Sequence, residues 1–362
     1  MKRGMRQLGL WGLLVGSGVA GAACNDIPLF GQDAQPKPQD TRPPDWDDSY
    51  GLDKYFYFWR IVPDYSQGHD KGKGVVFRQE IDGANEPEQF WVAPSGKCVG
   101  CHSVSRDGKY MAVVELTTRF GLDPSVHVVD IATQTEVNLP GGPLAGTFTS
   151  WEPTAPGVDA DRFVMASPFG LQIASVTSGL MTTLTETASD GWIASMPSWG
   201  PDGRIVYARS HYGDSRIVLY REAELWSIAA DGTDNQVLWA DPTRMSYFPE
   251  WSPAGRWIAF TDGPADANSS SFSSTQARIR ILDTLNQTIV NPDDLNDTSS
   301  AGRTWATWSA VGNRLTCSTA NATEDSDVYI VEFDKETGVD FNSEKLDIIS
   351  TEQFEHIPRW AP

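Results

Sequence analysis

The sequence predicts an all-β protein, a six-bladed β-propeller in which N-terminal strands pair with the C-terminal strand to close the ring. A Trp-Ser-Pro type motif with a glycine turn and an apolar strand recurs, as in PSWGPDGRIVYARS (197–210) and PEWSPAGRWIAFTD (249–262). Its tryptophans stand at positions 151, 199, 251, 308 and 360, which are 48, 52, 57 and 52 residues apart. This period is typical of propeller blades, because each small sheet buries its faces against its neighbours.

The two ends of the chain predict how the ring closes. Each repeat also contains a second apolar strand of the type VHVVD (126–130), and Val104 occupies the tryptophan place of a first repeat, 47 residues before Trp151. The repeats thus contain six innermost strands, but only five of these are followed by a complete set of outer strands. The remaining outer strands are expected in KYFYFWRIV (54–62), KGVVFRQEI (73–81) and QFWVAP (89–94), paired with the C-terminal HIPRW, which leaves no open sheet edge.

The N-terminus reads as an export signal followed by a tether. Residues 1–23 carry three basic residues, a short apolar run and small residues before Cys24. Two alternatives stay open, lipidation of Cys24 at a lipobox-like GAAC sequence or ordinary cleavage after Ala22. Residues 24–50 are rich in Pro and Asp and predict a flexible linker, with the propeller over 51–362.

The charge of the chain argues against two classes of partner. The formal net charge is −20, and removal of residues 1–23 takes away three bases and no acid, which leaves 25 basic against 48 acidic residues, a net charge of −23. Nucleic acids and anionic membrane surfaces attract basic proteins, so neither is an expected partner. A lipid on Cys24 is then the predicted membrane attachment, and the expected location is the periplasm or the cell surface.

The first repeat contains the pentapeptide Cys98-Val-Gly-Cys101-His102, which has the spacing of a covalent haem c attachment site. Two thiols three residues apart can add to the two vinyl groups of one haem, and the adjacent imidazole can bind the iron. A Cys98–Cys101 disulfide, favoured by an oxidising compartment, and coincidence are the alternatives. Zinc is less favoured, because no second Cys/His pair at ligand spacing follows.

Four residues are candidates for the distal iron ligand. His69 lies in a connection expected at the channel face that holds the haem motif, and His356 begins the innermost strand of the closing blade. Met196 and Met245 lie near the starts of other innermost strands. His211 is expected in the equivalent connection of the third blade, and a five-coordinate iron is the remaining alternative.

Other residues that attract attention have structural interpretations. His127 occupies a tolerant strand position, and Cys317 is expected to be a small buried hydrophobic residue. The stretches DGTDN (231–235) and NPDDLND (291–297) lack the alternating ligand pattern of a calcium loop, so turns are predicted there.

The PxWSPDG-type elements resemble the repeats of TolB-like propellers over roughly residues 54–362. The element also occurs in the propellers of prolyl-oligopeptidase-type enzymes. The haem motif in the first blade departs from the TolB pattern. Two functions remain open: electron transfer or redox sensing by a haem-bearing envelope lipoprotein that meets a redox partner, or binding of a protein or glycan at the channel mouth with a structural disulfide. No catalytic triad or carboxylate pair is evident, so an enzyme ranks last.

Overall fold

The computed structural model describes residues 55–63, 72–80, 86–94, 98–116, 124–155, 158–185, 191–214, 217–265, 274–296, 302–310, 312–320, 328–345 and 355–360. Within these ranges the chain forms six antiparallel sheets, which are the blades of a six-bladed β-propeller. No helix in the described ranges has the length and hydropathy that crossing a bilayer requires. The fold class predicted from the repeat is confirmed.

Each blade is a sheet of four strands that follow one another from the central channel to the outside. The closing blade contains, from inside to outside, β25 (Glu355–Trp360), β1 (Tyr55–Pro63), β2 (Gly72–Glu80) and β3 (Glu88–Trp91). Blade one contains β4 (Cys98–Val104), β5 (Tyr110–Leu116), β6 (Pro124–Asp130) and β7 (Thr135–Glu136), with β8 (Leu144–Ala145) also on β6. Blade two contains β9 (Thr147–Trp151), β10 (Arg162–Ser167), β11 (Gly170–Ser175) and β12 (Met181–Thr183).

The remaining three blades follow the same order. Blade three contains β13 (Trp192–Trp199), β14 (Arg204–Asp214), β15 (Ile217–Ala229) and β16 (Gln236–Trp239). Blade four contains β17 (Arg244–Trp251), β18 (Trp257–Pro264), β19 (Arg278–Asp283) and β20 (Thr288–Val290). Blade five contains β21 (Gly302–Trp308), β22 (Arg314–Ala320), β23 (Val328–Asp334) and β24 (Val339–Lys345).

The ring closes as the sequence predicts. Strand β25 pairs antiparallel with β1, with Phe56 opposite Trp360 and Arg60 opposite Glu355. The rings of Phe56 and Trp360 meet edge to face, with centroids 5.4 Å apart. Since both side chains are buried, the two ends of the chain share one hydrophobic cluster, and the closing blade holds the ring together.

Neighbouring blades are tied by hydroxyl groups on the innermost strands. The Oγ of Ser150 in blade two accepts a hydrogen bond from the backbone N–H of Trp199 in blade three, at 2.9 Å. Ser198 of blade three accepts from the N–H of Trp251 in blade four in the same way, at 3.0 Å. Each hydroxyl immediately precedes the tryptophan of its own strand, so the repeat places donor and acceptor at the same level in successive blades.

The indole rings of the repeat add a second tie. Trp151 donates from Nε1 to the carbonyl of Ser103 in the preceding blade, at 3.1 Å, and Trp308 donates to the carbonyl of Glu250, also at 3.1 Å. The tryptophans are nearly fully buried. The recurrent tryptophan is therefore a residue of the blade interface. Its burial stabilises the ring, and at Trp151 and Trp308 the hydrogen bond to the preceding blade adds to this.

Each innermost strand is interrupted by a β-bulge, seen as a register shift against the second strand. At this bulge four non-glycine residues have left-handed backbone conformations, with φ of 44° at Phe148, 53° at Met196, 51° at Phe248 and 58° at Trp305. The four residues occupy the same place in the repeat, three positions before the tryptophan. A left-handed conformation is unfavourable for such side chains, so tertiary packing must compensate for it.

Three local features differ from the sequence-based expectations. Strand β8 was not predicted. Residues Asp293–Asn296 form one helical turn, α1, in which Asn296 hydrogen-bonds the backbone of Ile279 through both its amide atoms. His211 lies inside β14 opposite Trp192, because this strand runs further than its counterparts. The stretch 231–235 is a turn as predicted, in which Asp231 accepts from the N–H of Thr233.

The ties between blades predict a measurable loss of stability. Ser198→Ala removes the acceptor of a buried backbone N–H, so we expect the free energy of unfolding to fall by about 1–3 kcal/mol. Urea unfolding followed by tryptophan fluorescence measures the change. Thr182→Ala, on an exposed outer strand, is the control and should stay within about 0.5 kcal/mol of wild type. Equal midpoints for Ser198→Ala and the control would contradict this role.

Candidate functional site

The Cys98–His102 motif lies on β4, the innermost strand of blade one, beside the central channel. Cys98 begins the strand, and its side chain lies outside the described part of the structure. Cys101 is a free thiol with 7 % of its surface exposed, and His102 is 2 % exposed. Cys101 and His102 thus lie beside the channel, as predicted. Both are inside the protein and not at an open mouth of the channel.

A plug of large side chains fills the channel at the level of Cys101. The channel plug consists of Phe148, Met196, Phe248 and Trp305, the four residues whose bulged backbones place them at one level of the ring. The rings of Phe248 and Trp305 stack with centroids 3.7 Å apart, and Phe148 lies 6.1 Å and 6.0 Å from them. These contacts supply the packing that holds the four left-handed backbones in place.

The central cavity lies beside the plug and has a volume of about 20 Å³. Its lining includes Cys101, His102 and Met196, with Phe248, Trp305 and Arg359. A site for a cofactor of drug size or larger measures about 300–1,000 Å³. The described residues therefore do not provide space for a porphyrin next to Cys101 and His102.

The surroundings of His102 are unusual for a polar side chain. Within the described residues, neither ring nitrogen makes a hydrogen bond of normal geometry. Burial and then the charge of Arg359 lower the pKa of His102 to about 3, against a smaller opposite effect of the Tyr57 backbone. The imidazole is therefore neutral at physiological pH, and one of its nitrogens carries a free lone pair. Burial likewise raises the pKa of the Cys101 thiol to about 12, which Arg359 partly opposes.

The structure brings one candidate distal ligand to this cavity. Met196 lines it, whereas Met245 is buried at the start of β17 opposite Gly263 and is not among the lining residues. His356 begins β25 opposite Trp59, but its side chain lies outside the described part. His69 lies outside the described residues, as does Cys24. Among the residues that are described, no group of three His, Cys, Asp or Glu side chains could hold a metal ion.

Two further side chains are placed as predicted. His127 lies on β6, where its Nδ1 contacts Glu136 Oε1 at 2.7 Å and its Nε2 contacts Ser125 Oγ at 3.1 Å. Cys317 is fully buried on β22 in a cluster of apolar side chains. Both have structural partners, so neither is a candidate for a functional site.

Next to the central cavity, toward the tryptophans that end the innermost strands, the channel widens into a funnel of about 650 Å³. The funnel opens at the face that bears the turns between first and second strands, and all six blades contribute to it. Its lining is Ser103, Val104, Ser105, Arg106, Asp107, Thr149, Ser150, Trp151, Thr154, Ala155, Val158, Asp159, Ser198, Trp199, Glu250, Trp251, Pro253, Thr307, Trp308, Ser309, Ala310, Arg359 and Trp360. Its size is that of a ligand-binding cleft.

Charged side chains line the funnel, with Glu250 and Arg359 at its floor and Arg106 on the turn between β4 and β5 at its open end. Glu250 Oε2 is 3.7 Å from Arg359 Nη1, with 27 % and 17 % of the two side chains exposed. Burial raises the pKa of Glu250, while the charges of Arg359 and Arg106 oppose this rise. Arg106 donates to the carbonyl of Pro253 at 3.3 Å, and burial lowers the pKa of its guanidinium. Two guanidinium groups thus act on one carboxylate in a largely desolvated place.

These charged residues are not among the candidates that the sequence motifs indicate, although the repeat carries a signal. The position before the recurrent tryptophan holds a hydroxyl residue in four blades, which are Ser103, Ser150, Ser198 and Thr307. Glu250 and Arg359 are the two exceptions. Both depart from the repeat at a position that lines the funnel, which is where a functional substitution is expected.

Comparisons with known proteins concern the fold. No protein-family model matches the sequence, and no curated protein is significantly similar to it. TolB from Acinetobacter baumannii superimposes with a TM-score of 0.58 at 12 % identity, over 85 % of this chain and 66 % of that one. A TolB-type protein from Agrobacterium tumefaciens superimposes with a TM-score of 0.52 at 14 % identity, over 85 % of this chain and 99 % of that one. A chain of a nidogen/laminin complex superimposes with a TM-score of 0.54 at 10 % identity, over 85 % of this chain and 98 % of that one. The chain has the six-bladed β-propeller fold of TolB-like proteins.

Proposed function

We propose that this protein is an exported binding propeller of the cell envelope, which holds a carboxylate-bearing segment of a protein or glycan in its funnel. The observation that carries the proposal is the pair of Glu250 and Arg359 at the funnel floor, together with Arg106, whose charge acts on Glu250 from the turn between β4 and β5. Charged groups placed in a desolvated region cost stability unless they are fully paired. One carboxylate between two guanidinium groups leaves one positive charge available to an anionic ligand.

The walls of the funnel suit an extended polar ligand. The lining combines hydroxyl residues with the recurrent tryptophans. Guanidinium groups bind carboxylates through two parallel hydrogen bonds, so Arg106 and Arg359 can fix the orientation of the ligand's charged end. The strongly acidic exterior would repel an anionic ligand elsewhere on the protein, which favours the funnel as the place of binding.

The funnel predicts carboxylate-dependent binding. Peptides displayed with free C-terminal carboxylates are selected on the immobilised protein, resynthesised as acids and amides, and compared by calorimetry. We expect the acid to bind at least about 10-fold more tightly, because a hydrogen bond to a charged group contributes about 1.5–3 kcal/mol. Arg359→Gln should abolish this difference, and Glu250→Gln should strengthen acid binding, because it removes the competing carboxylate.

Arg204→Gln is the matched control, since Arg204 pairs with Asp234 away from the funnel lining. Thermal unfolding of each variant shows whether the ring remains folded. Selected peptides that bind Arg359→Gln and Glu250→Gln as tightly as wild type, with both variants folded, would place the binding surface elsewhere and contradict the proposal.

The proposed location rests on the N-terminal sequence, which places Cys24 after an export signal. Cys24→Ser should release the protein from the membrane fraction into the soluble periplasmic fraction, because the lipid is the proposed attachment. Immunoblotting of the two fractions measures the change, with Cys317→Ser as a control that should leave the distribution unaltered. Wild-type protein found in the soluble fraction would instead support cleavage after Ala22.

A second function, electron transfer by covalent haem c on Cys98 and Cys101, is supported by the spacing of the motif and by the partnerless ring nitrogens of His102 among the described residues. The folded geometry does not favour it, because the central cavity is far smaller than a porphyrin. A haem at this place would require β4 and the channel plug to separate.

Haem attachment has a direct test in a host that matures c-type cytochromes. A haem-bearing protein shows a Soret band and the mass of haem on the chain, and both should disappear in the Cys98→Ser, Cys101→Ser double variant while the propeller stays folded. His102→Ala should keep part of the haem mass and shift the spectrum from low spin toward high spin. Wild-type protein with neither signal would rule out the haem function.

A further inference from the structure

The central cavity brings together three metal-binding donors. Cys101, His102 and Met196 come from two different blades and line the same space of about 20 Å³. A void of this size holds one water molecule or one ion, so the side chains that line it surround a single occupant. The bulges on β4 and β13 make this possible, because they direct Cys101 and Met196 to the same level of the channel.

His102 is the observation that indicates a ligand. It is only 2 % exposed, both its ring nitrogens lack a hydrogen bond of normal geometry among the described residues, and it lines this cavity. A buried polar group without a partner costs about 1–3 kcal/mol. The backbone of Tyr57 is near enough to influence the ring. A histidine that binds a metal commonly donates its other N–H to such a carbonyl, which leaves one nitrogen directed at the ion.

We propose that Cys101, His102 and Met196 together bind one soft monovalent metal ion, Cu(I), in the central cavity. Thiolate and thioether sulfur select Cu(I), and imidazole also binds copper. Zn(II) fits the set poorly, because zinc sites use four ligands and thioether is not among them. The proposal is independent of ligand binding in the funnel.

Charge also favours a monovalent ion. Cu(I) binds the thiolate of Cys101, and the displaced thiol proton passes to solvent, so the ion and its ligands remain neutral overall. A divalent ion would leave one net positive charge in a buried place near Arg359, which is unfavourable. The residues Thr149, Glu250 and Arg359 line both the central cavity and the funnel, so the ion reaches the site from the funnel floor. The stacked rings of Phe248 and Trp305 close the site on its aromatic side.

The test measures Cu(I) transfer from a chromophoric bicinchoninate complex to the full chain under anaerobic conditions. A Cys24→Ser, Cys98→Ser background removes the two other N-terminal thiols and prevents double thioether attachment of haem. In this background we expect one Cu(I) per chain. Cys101→Ser and His102→Ala should each weaken binding by more than about 100-fold, since loss of an outer partner alone costs about 10–100-fold. Met196→Leu should weaken it by about 10-fold while keeping the buried volume.

Two controls match the chemistry of the ligands. Cys317→Ser removes the other buried thiol and Met245→Leu the other innermost-strand methionine, and neither should change the affinity. Ag(I), which is not redox-active under these conditions, should compete for the same single site. Failure of the background protein to take up Cu(I), unchanged binding in Cys101→Ser or His102→Ala, or covalent haem on wild-type protein would each overturn the proposal. Because the variants can affect folding, each titration is accompanied by thermal unfolding, and Met196→Leu supplies the least disruptive comparison.

Discussion

The ring depends on the packing of each blade against the next, and at two junctions this packing is fixed by a hydrogen bond from the backbone N–H of one blade's tryptophan to the hydroxyl that precedes the tryptophan of the blade before it. Ser150 and Ser198 both act in this way. A four-stranded blade has little interior of its own, so its stability comes from the neighbouring blade. The tie joins adjacent innermost strands where they surround the channel. Where the hydroxyl is replaced, as at Glu250 and Arg359, the same position supplies charge to the funnel floor.

The bulges divide the channel into two unlike spaces. Four left-handed residues place three aromatic rings and one thioether across the axis, and the resulting plug separates the funnel from the strand starts. Backbone strain of this kind persists only where the surrounding packing compensates for it, and it often accompanies function. In this ring the β-bulges of the innermost strands produce both the backbone strain and the ion-sized cavity beside Cys101 and His102.

Much of the fold could be predicted from the sequence, because tryptophan spacing and strand alternation are direct consequences of the blade repeat. The six blades, the closure by β25 and the buried Cys317 are confirmed. The site was harder to predict. The Cys98–His102 spacing suggests an accessible attachment site, yet a β-bulge decides how deep Cys101 and His102 lie, and bulges depend on contacts among blades distant in sequence. The charged residues at the funnel floor give only a weak signal in the sequence. Glu250 and Arg359 each replace the usual hydroxyl residue at one position of a repeat that varies elsewhere too.

The direction of β1 determines which face of the ring is nearest to the N-terminal part of the chain. Phe56 pairs with Trp360 at the end of β25, and Trp360 belongs to the funnel lining, so the chain enters the propeller on the funnel side. The segment that precedes Tyr55 is therefore attached beside the wide end of the ring, and a molecule that enters the funnel meets the ring on the same face as that segment.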